Sequence, residues 1–224
     1  MLTIDNIRKS YLSGGRPLEV LCGISATVGE GESLAIVGPS GSGKTTLLGI
    51  CAGLDTPSSG TVSLLGEAFS VLGEDERAQL RNRHVGFVFQ NFQLIPTLTA
   101  LENVSIPLEL KRRDRVRERA MAWLDRVGLA DRAGHYPVQL SGGEQQRVAI
   151  ARASVSEPAI LFADEPTGNL DGDTSAQIED LLLRAHRETG ITFILVTHDP
   201  ELAAHADRVL RLRKGRVEAD AGQS

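Results

Sequence analysis

Two stretches of this chain could hold phosphate, and they lie about a hundred residues apart. The first is Gly38-Pro39-Ser40-Gly41-Ser42-Gly43-Lys44-Thr45-Thr46, with the spacing G-x-x-x-x-G-K-[ST]. It sits between an apolar run, "ESLAIVG", and a segment expected to be helical, which is the context that gives such a loop its chemistry. Gly38, Gly41 and Gly43 let the backbone wrap closely, so that its N–H groups converge on phosphate oxygens. Lys44 brings positive charge to the β and γ phosphates, the Thr45 hydroxyl suits Mg²⁺, and the helix dipole favours the anion. The second stretch is "LSGGEQQR", Leu140 to Arg147, which has a serine, two glycines and a helix-forming run but no lysine. Ser141 and Glu144 form the capping-box pattern S-x-x-E. That pattern does not explain Gly142 and Gly143, each of which costs a helix about 1 kcal/mol relative to alanine. The glycines make sense if something must approach this backbone closely, and the dipole and amides there suit a γ phosphate already held by another chain's lysine.

Acidic and polar groups fall at the ends of apolar runs. "AILFADEP" ends a strand-like segment in Asp164 and Glu165. Asp164 fits the holding of Mg²⁺, usually through water, and Glu165 is placed to polarise a water aimed at the γ phosphate. "ILVTHD" puts His198 at the end of another such run, and Gln90 follows "VGFVF". Three predicted parallel strands thus end in Gly38, Asp164 and His198, and ligands in open α/β sheets bind beyond the carboxyl ends of the strands. The segment from Asn169 to Asp180 imitates a calcium loop, but the required glycine is Thr174 and the twelfth residue is not Glu, so calcium is rejected.

These residues need strands and helices to hold them. "LTIDNI", "LEVLCGISATV" and "ESLAIVG" read as strands separated by "SGGRP" and "GEGE", and a helix is predicted from Lys44 to Ala52. "SSGTVSLLGE" reads as strand, with turns at Ser59-Gly60 and Gly66, and another strand runs from Val85 to Phe89. Val116, Ala120, Trp123, Leu124 and Val127 form one face of a helix. Further on come the strand "AILFAD", a helix with Ile178, Leu181, Leu182 and Ala185 on one face, the strand "ITFILVTHD" and a hairpin around Lys214-Gly215. The organisation is an α/β core interrupted by a helical insertion at roughly residues 91–156.

Composition narrows the function classes. The chain has 224 residues, 41% hydrophobic content and a net charge of -5, which argues against a general nucleic-acid binder. "KRRDRVRERA" holds six bases and two acids and reads as a solvated helix face, since no aromatics interleave. Cys22 and Cys51 form no CxxC or zinc pattern and read as small apolar residues in a reducing compartment. No signal peptide and no membrane-spanning run is expected.

Taken in order, the phosphate loop, Gln90, "LSGGEQQR", "LFADEP", "NLD" and His198 resemble the ATP-binding subunit of ABC transporters over essentially the whole chain. The resemblance implies an α/β P-loop NTPase (RecA-like) core with an antiparallel β subdomain and an inserted α-helical subdomain, all one ATPase domain spanning 1–224. It implies a homodimer arranged head to tail, with ATP between one protomer's phosphate loop and the other's Ser141, Gly142, Gly143 and Glu144. Lys44 would hold phosphates, while Thr45, Asp164 and Gln90 would serve Mg²⁺. Glu165 would be the general base, and His198 would orient the γ phosphate and the attacking water. Asp171 would link the two sites, and Tyr11 would stack on adenine. "AGLDTPSSG", "VGFVFQNFQLIPTLTALENV" and "ADEPTGNLD" are similar to the lipoprotein-release and macrolide-export (LolD- and MacB-like) group, and most to stand-alone YbbA-type ATPases. A separate membrane permease is then expected, met by a groove just after Gln90 with Phe92, Leu94, Ile95 and Leu98 as apolar contacts or as core. The expected location is cytoplasmic, peripheral on the inner face of the cell membrane, with export of lipoprotein or hydrophobic cargo and no nucleic acid. Two rivals stand beside this: an ABC ATPase acting on DNA or ribosomes, and a phosphotransferase.

Overall fold

The computed structural model describes residues 1–222. In chain order the elements are β1 (Leu2–Ser13), β2 (Arg16–Val28), β3 (Ser33–Val37), α1 (Lys44–Cys51), β4 (Ser59–Leu64), β5 (Glu67–Ala68), α2 (Glu74–His84), β6 (Val85–Val88), α3 (Ala100–Leu110), α4 (Val116–Arg126), α5 (Gly142–Ser154), β7 (Ile160–Asp164), α6 (Gly172–Thr189), β8 (Thr192–Val196), α7 (Pro200–Ala203), β9 (Arg208–Arg213) and β10 (Arg216–Gly222). They form two compact units, Met1–Arg81 with the chain from Thr192, and Asn82–Ile191. No helix among the described residues is long and apolar enough to cross a membrane.

The first unit contains an antiparallel sheet in the order β2-β1-β4-β5. Its first strand alternates buried Leu2 and Ile4 with exposed neighbours, as a half-buried strand must. The β1–β2 pair runs from Leu2 opposite Val28 to Ser13 opposite Arg16, so Tyr11 lies inside a strand longer than the apolar run "LTIDNI" suggests. Ser59 and Gly60 lie within β4 rather than forming the expected turn. Gly60 has φ 89°, and the β1–β4 register shifts alongside it between Asp5 and Arg8, so the glycine marks an irregular strand.

In the same unit β3 pairs in parallel with both β8 and β9, and β9 turns back antiparallel into β10. The residues "SLAIV" of β3 and "TFILV" of β8 are buried almost throughout, because strands with partners on both sides and covered faces bury nearly every residue. The β9–β10 turn is the expected one, Lys214-Gly215, with positive φ at both positions, the geometry of a two-residue hairpin whose twist matches its strands.

The second unit pairs β6 with β7 in parallel, Val85 opposite Ile160. Its helical core is built from Ala100, Leu101, Val104 and Leu108 of α3, Ala120, Trp123 and Leu124 of α4, and Val148 and Ala151 of α5. The predicted apolar face of α4 is the buried one; Val116 packs partly buried at its start and Val127 closes its end. Two helices escape the periodicity argument. In α2, "EDERAQLRNRH" buries only Leu80, so no apolar stripe exists to find. In α3, Pro107 interrupts the helical pattern, although the Thr99-x-x-Glu102 capping box announces its start.

Candidate functional site

The phosphate loop lies where β3 ends and α1 begins. Gly43 is the N-cap of α1 with φ 100°; no side chain caps the helix and no acidic residue occupies its first turn. The helix therefore lacks the N-cap side chain that Thr99, Ser141 and Asp171 give α3, α5 and α6. The loop is shaped by close approach: a Cβ at Gly38 would overlap the Leu212 carbonyl, and one at Gly43 would sit 2.7 Å from Leu21 Cδ2. Pro39, Ser40 and Gly41 are exposed, Thr45 is exposed and Thr46 is half-buried. The buried Lys44 ammonium donates to the carbonyls of Gly38 at 2.9 Å and Pro39 at 3.3 Å. The cation is thus folded onto the loop whose anion it could hold. Ser42 Oγ is buried with no hydrogen-bond partner among the described residues. Uncapped amides, a glycine-lined turn and a cation at its mouth fit a polyphosphate.

Two other predicted residues stand near this loop. Tyr11 is tied to the loop that follows α1, its O–H donating to Asp55 Oδ2 at 2.8 Å. His198 is exposed just past β8 and lines one cleft with Gly38, Pro39 and Arg211.

The second unit holds the remaining residues. Asp164 is the last residue of β7, and Glu165 follows it at φ 43°. A non-glycine residue in that region is strained and persists only where its surroundings over-determine it. Here the Glu165 carbonyl accepts from Gly168 N at 3.0 Å, closing the turn. From α5, the buried Gln146 amide donates to the Pro166 carbonyl at 2.7 Å. Gln90 follows β6, and its carbonyl accepts from Asn169 Nδ2 at 3.1 Å, which also reaches Asn91 Oδ1 at 2.8 Å. Gln146 and Asn169 thus tie three predicted segments together within this unit. Neither part is legible in the sequence, since "EQQR" and "NLD" give no sign of which residue reaches across.

Ser141 begins α5 as expected: its hydroxyl accepts from Glu144 N at 3.3 Å, and Glu144 Oε2 accepts from Ser141 N at 2.8 Å. Gly142 and Gly143 differ in their reasons. A Cβ at Gly143 would overlap Thr174 Cγ2, so the close neighbour is α6 of the same chain; at Gly142 a Cβ would meet only ordinary contacts. Asp171, expected to link two sites, is also the N-cap of α6, accepting from Thr174 N at 3.0 Å.

The capping carboxylates give this unit an acid sensitivity. The Ser141 backbone N–H holds the Glu144 carboxyl below its usual pKa against a smaller opposing effect of burial. Backbone N–H groups do the same for Glu102 and Asp171. A depressed folded pKa means stability that is present above the unfolded value and lost as pH falls through the folded one. The melting temperature should therefore drop between about pH 5 and pH 3, and Glu144→Gln, which cannot titrate, should show a smaller drop. Scanning calorimetry across that range checks it; an identical drop in the variant removes Glu144 from the account.

Phe92, Leu94, Ile95 and Leu98 do not share one fate. Leu94 packs against the helical core, Ile95 is 41% exposed, and Phe92 and Gln93 adopt φ 56° and 49°. Both left-handed residues are held by Arg152 of α5, whose guanidinium donates to Gln93 O at 2.7 Å and Phe92 O at 2.9 Å. Arg152→Ala should cost about 2–4 kcal/mol and lower the melting temperature by about 5–10 °C. Arg152→Lys should recover only part of this, because a point charge cannot match a planar fork.

A glycine-rich loop between a buried strand and an uncapped helix, with a lysine folded onto it, defines a nucleoside-triphosphate-binding α/β protein. The family model described as ABC transporter matches residues 21–168. The chain is 52% identical over 223 residues to the "Uncharacterized ABC transporter ATP-binding protein YbbA" of Escherichia coli (strain K12), covering 99% of this chain and 98% of that protein. It is 52% identical over 221 residues to the "Lipoprotein-releasing system ATP-binding protein LolD" of Bordetella pertussis, covering 98% and 96%. The solved structure "Dimeric structure of a post-hydrolysis state of the ATP-binding cassette MJ0796 bound to ADP and Pi" superposes with a TM-score of 0.93 at 42% identity, covering 99% and 98%. The chain belongs to the ABC transporter family and is an ATP-binding ATPase of that family with a P-loop NTPase fold.

Proposed function

We propose that this chain is the energy-supplying subunit of a LolD-like ABC transporter, one ATPase domain over 1–224 with a helical subdomain at roughly 91–156. The single observation that carries the phosphate chemistry is the bare start of α1, uncapped and lined by glycines, with Lys44 beside it. Gly38 to Thr46 hold the phosphates of ATP, with Lys44 turning from the loop carbonyls to the β and γ oxygens, and Tyr11 stacks on the base. Thr45, Asp164 and Gln90 are the residues that would hold Mg²⁺, which when bound neutralises charge on the β and γ phosphates. Glu165 takes the proton of the attacking water as general base. His198 donates to the γ phosphate and orients that water. Ser141, Gly142, Gly143 and Glu144 of α5 meet the ATP held by a second copy, so that two chains close head to tail around two nucleotides, with Asp171 at the seam. The solved relative described as dimeric and bound to ADP and Pi supports this arrangement.

A separate integral-membrane permease receives the motion, against the loop from Phe92 to Leu98, and holds the chain on the inner face of the cell membrane. Cargo is of the lipoprotein or hydrophobic class, in keeping with the name of the LolD relative. The test has two parts. Purified protein should release inorganic phosphate from ATP with Mg²⁺ and no added acceptor. Solubilised membranes should yield it in complex with an integral-membrane protein that stimulates this release. Phosphate transfer to a small-molecule acceptor, or a stable nucleic-acid complex in place of the membrane protein, overturns the reading.

A further inference from the structure

We propose that Asp55 and Lys9 are positioning residues for nucleobase binding, locking the Tyr11 ring as a rigid platform in register with the phosphate loop. This rests on the reading of Tyr11 as the base-stacking residue.

An exposed tyrosine near the tip of a hairpin should sample several rotamers. Tyr11, 42% exposed and followed by Leu12 at 83%, is instead held from two directions. Its phenol O–H donates to Asp55 Oδ2 at 2.8 Å. The Lys9 ammonium lies over the ring, 4.9 Å from its centroid. Lys9 is itself fixed: its side chain is 11% exposed, and Nζ donates to Asp55 Oδ1 at 2.7 Å and to the Thr56 carbonyl at 2.6 Å. One carboxylate therefore spans the phenol and the ammonium.

The far end of this network is α1. The backbone N–H groups of Leu54 and Asp55 donate to the Gly49 carbonyl at 2.8 and 3.2 Å, so the loop carrying Asp55 is hung from the helix that the phosphate loop begins. Gly49 lies on the same helix that Lys44 begins. The ring is thus anchored to the element that fixes the phosphates, and the distance between base platform and phosphate cradle is set before a nucleotide arrives. Pre-organisation of this kind lowers the ordering cost of binding. An ammonium over one face leaves the other for a flat partner and draws on the ring's electron density, which favours stacking of an electron-rich purine. Burial would raise the Asp55 pKa, but the hydrogen bonds from Lys9 and Tyr11 outweigh it and keep the carboxylate ionised.

The experiment compares a ligand that has a base with one that lacks it, by calorimetric titration of ADP and of inorganic pyrophosphate. Tyr11→Ala should weaken ADP about tenfold to a hundredfold and leave pyrophosphate unchanged. Asp55→Ala should weaken ADP about threefold to tenfold, again sparing pyrophosphate, and add nothing further in the Tyr11→Ala background. Where Asp55→Ala does not fold, Lys9→Met carries the same expectation. Equal losses for both ligands would mean a merely structural Asp55 and overturn the proposal. So would an unchanged ADP affinity in Asp55→Ala while Tyr11→Ala loses it, which leaves the base reading intact. If Tyr11→Ala binds ADP normally, the base reading fails and the proposal with it.

Discussion

Glu165→Gln should slow ATP turnover by about 10²–10⁴-fold, leave ATP affinity near that of the parent protein, and convert the chain to a stable dimer when ATP and Mg²⁺ are present. The size of the effect follows from the proposed role as general base. A carboxylate that accepts a proton from water cannot be replaced by an amide, which has no comparable basicity. The selectivity of the effect follows from the backbone. Glu165 is held at φ 43° by the Gly168 N–H on its carbonyl, and Gln146 fixes the neighbouring Pro166 carbonyl. Neither contact uses the Glu165 side chain, so the substitution should leave the turn, and Asp164 before it, in place. Slow hydrolysis with intact binding then traps the closed state. Single-turnover phosphate release and size-exclusion chromatography at saturating ATP read the two halves separately. A variant that turns over at the parent rate removes Glu165 as base, and one that stays monomeric with ATP bound argues against closure around nucleotide.

What the sequence revealed, and what it hid, divides along a physical line. The phosphate loop, β3, β7 and β8 could be read because their chemistry is local. Glycine spacing dictates a backbone wrap, and an unbroken apolar run dictates a strand covered on both faces. The apolar face of α4 was likewise written in its own periodicity. Contacts between distant residues were not. Nothing in "LSGGEQQR" says that Gly143 is small because Thr174 packs on it, or that Gln146 rather than Gln145 reaches Pro166. Arg152 and its two left-handed acceptors lie about sixty residues apart, and no spacing rule joins them. Helix α2 stayed hidden for a different reason: it buries only Leu80 and is otherwise charged and polar, with Glu74 paired to Arg77 and Arg81, so hydrophobic periodicity has nothing to report. Tyr11 is the instructive middle case. Its place before a glycine turn was visible, but the carboxylate and ammonium that immobilise it come from Asp55 and Lys9, one of them more than forty residues away.

The proposed division of phosphate ligands between two helix starts leads to the second large effect. Lys44→Ala and Ser141→Arg should each abolish ATPase activity, and mixing the two inactive proteins should restore about a quarter of the parent activity. The lysine substitution removes the cation at the bare start of α1 without touching α5. The arginine substitution removes the hydroxyl that caps α5 and sets bulk and charge where a partner's nucleotide would rest, without touching the phosphate loop. In a head-to-tail pair the Ser141→Arg chain still offers a working loop, and the Lys44→Ala chain still offers a working α5. One intact composite site therefore forms in each mixed dimer. Random pairing makes half the dimers mixed, and each has one site of two, which gives the quarter. A chain that hydrolysed ATP within itself could not behave this way, since both proteins would remain dead in any proportion. Steady-state phosphate release across a titration of one variant into the other decides it. A peak near equal proportions is the expected shape, and a flat line at zero removes the two-chain site.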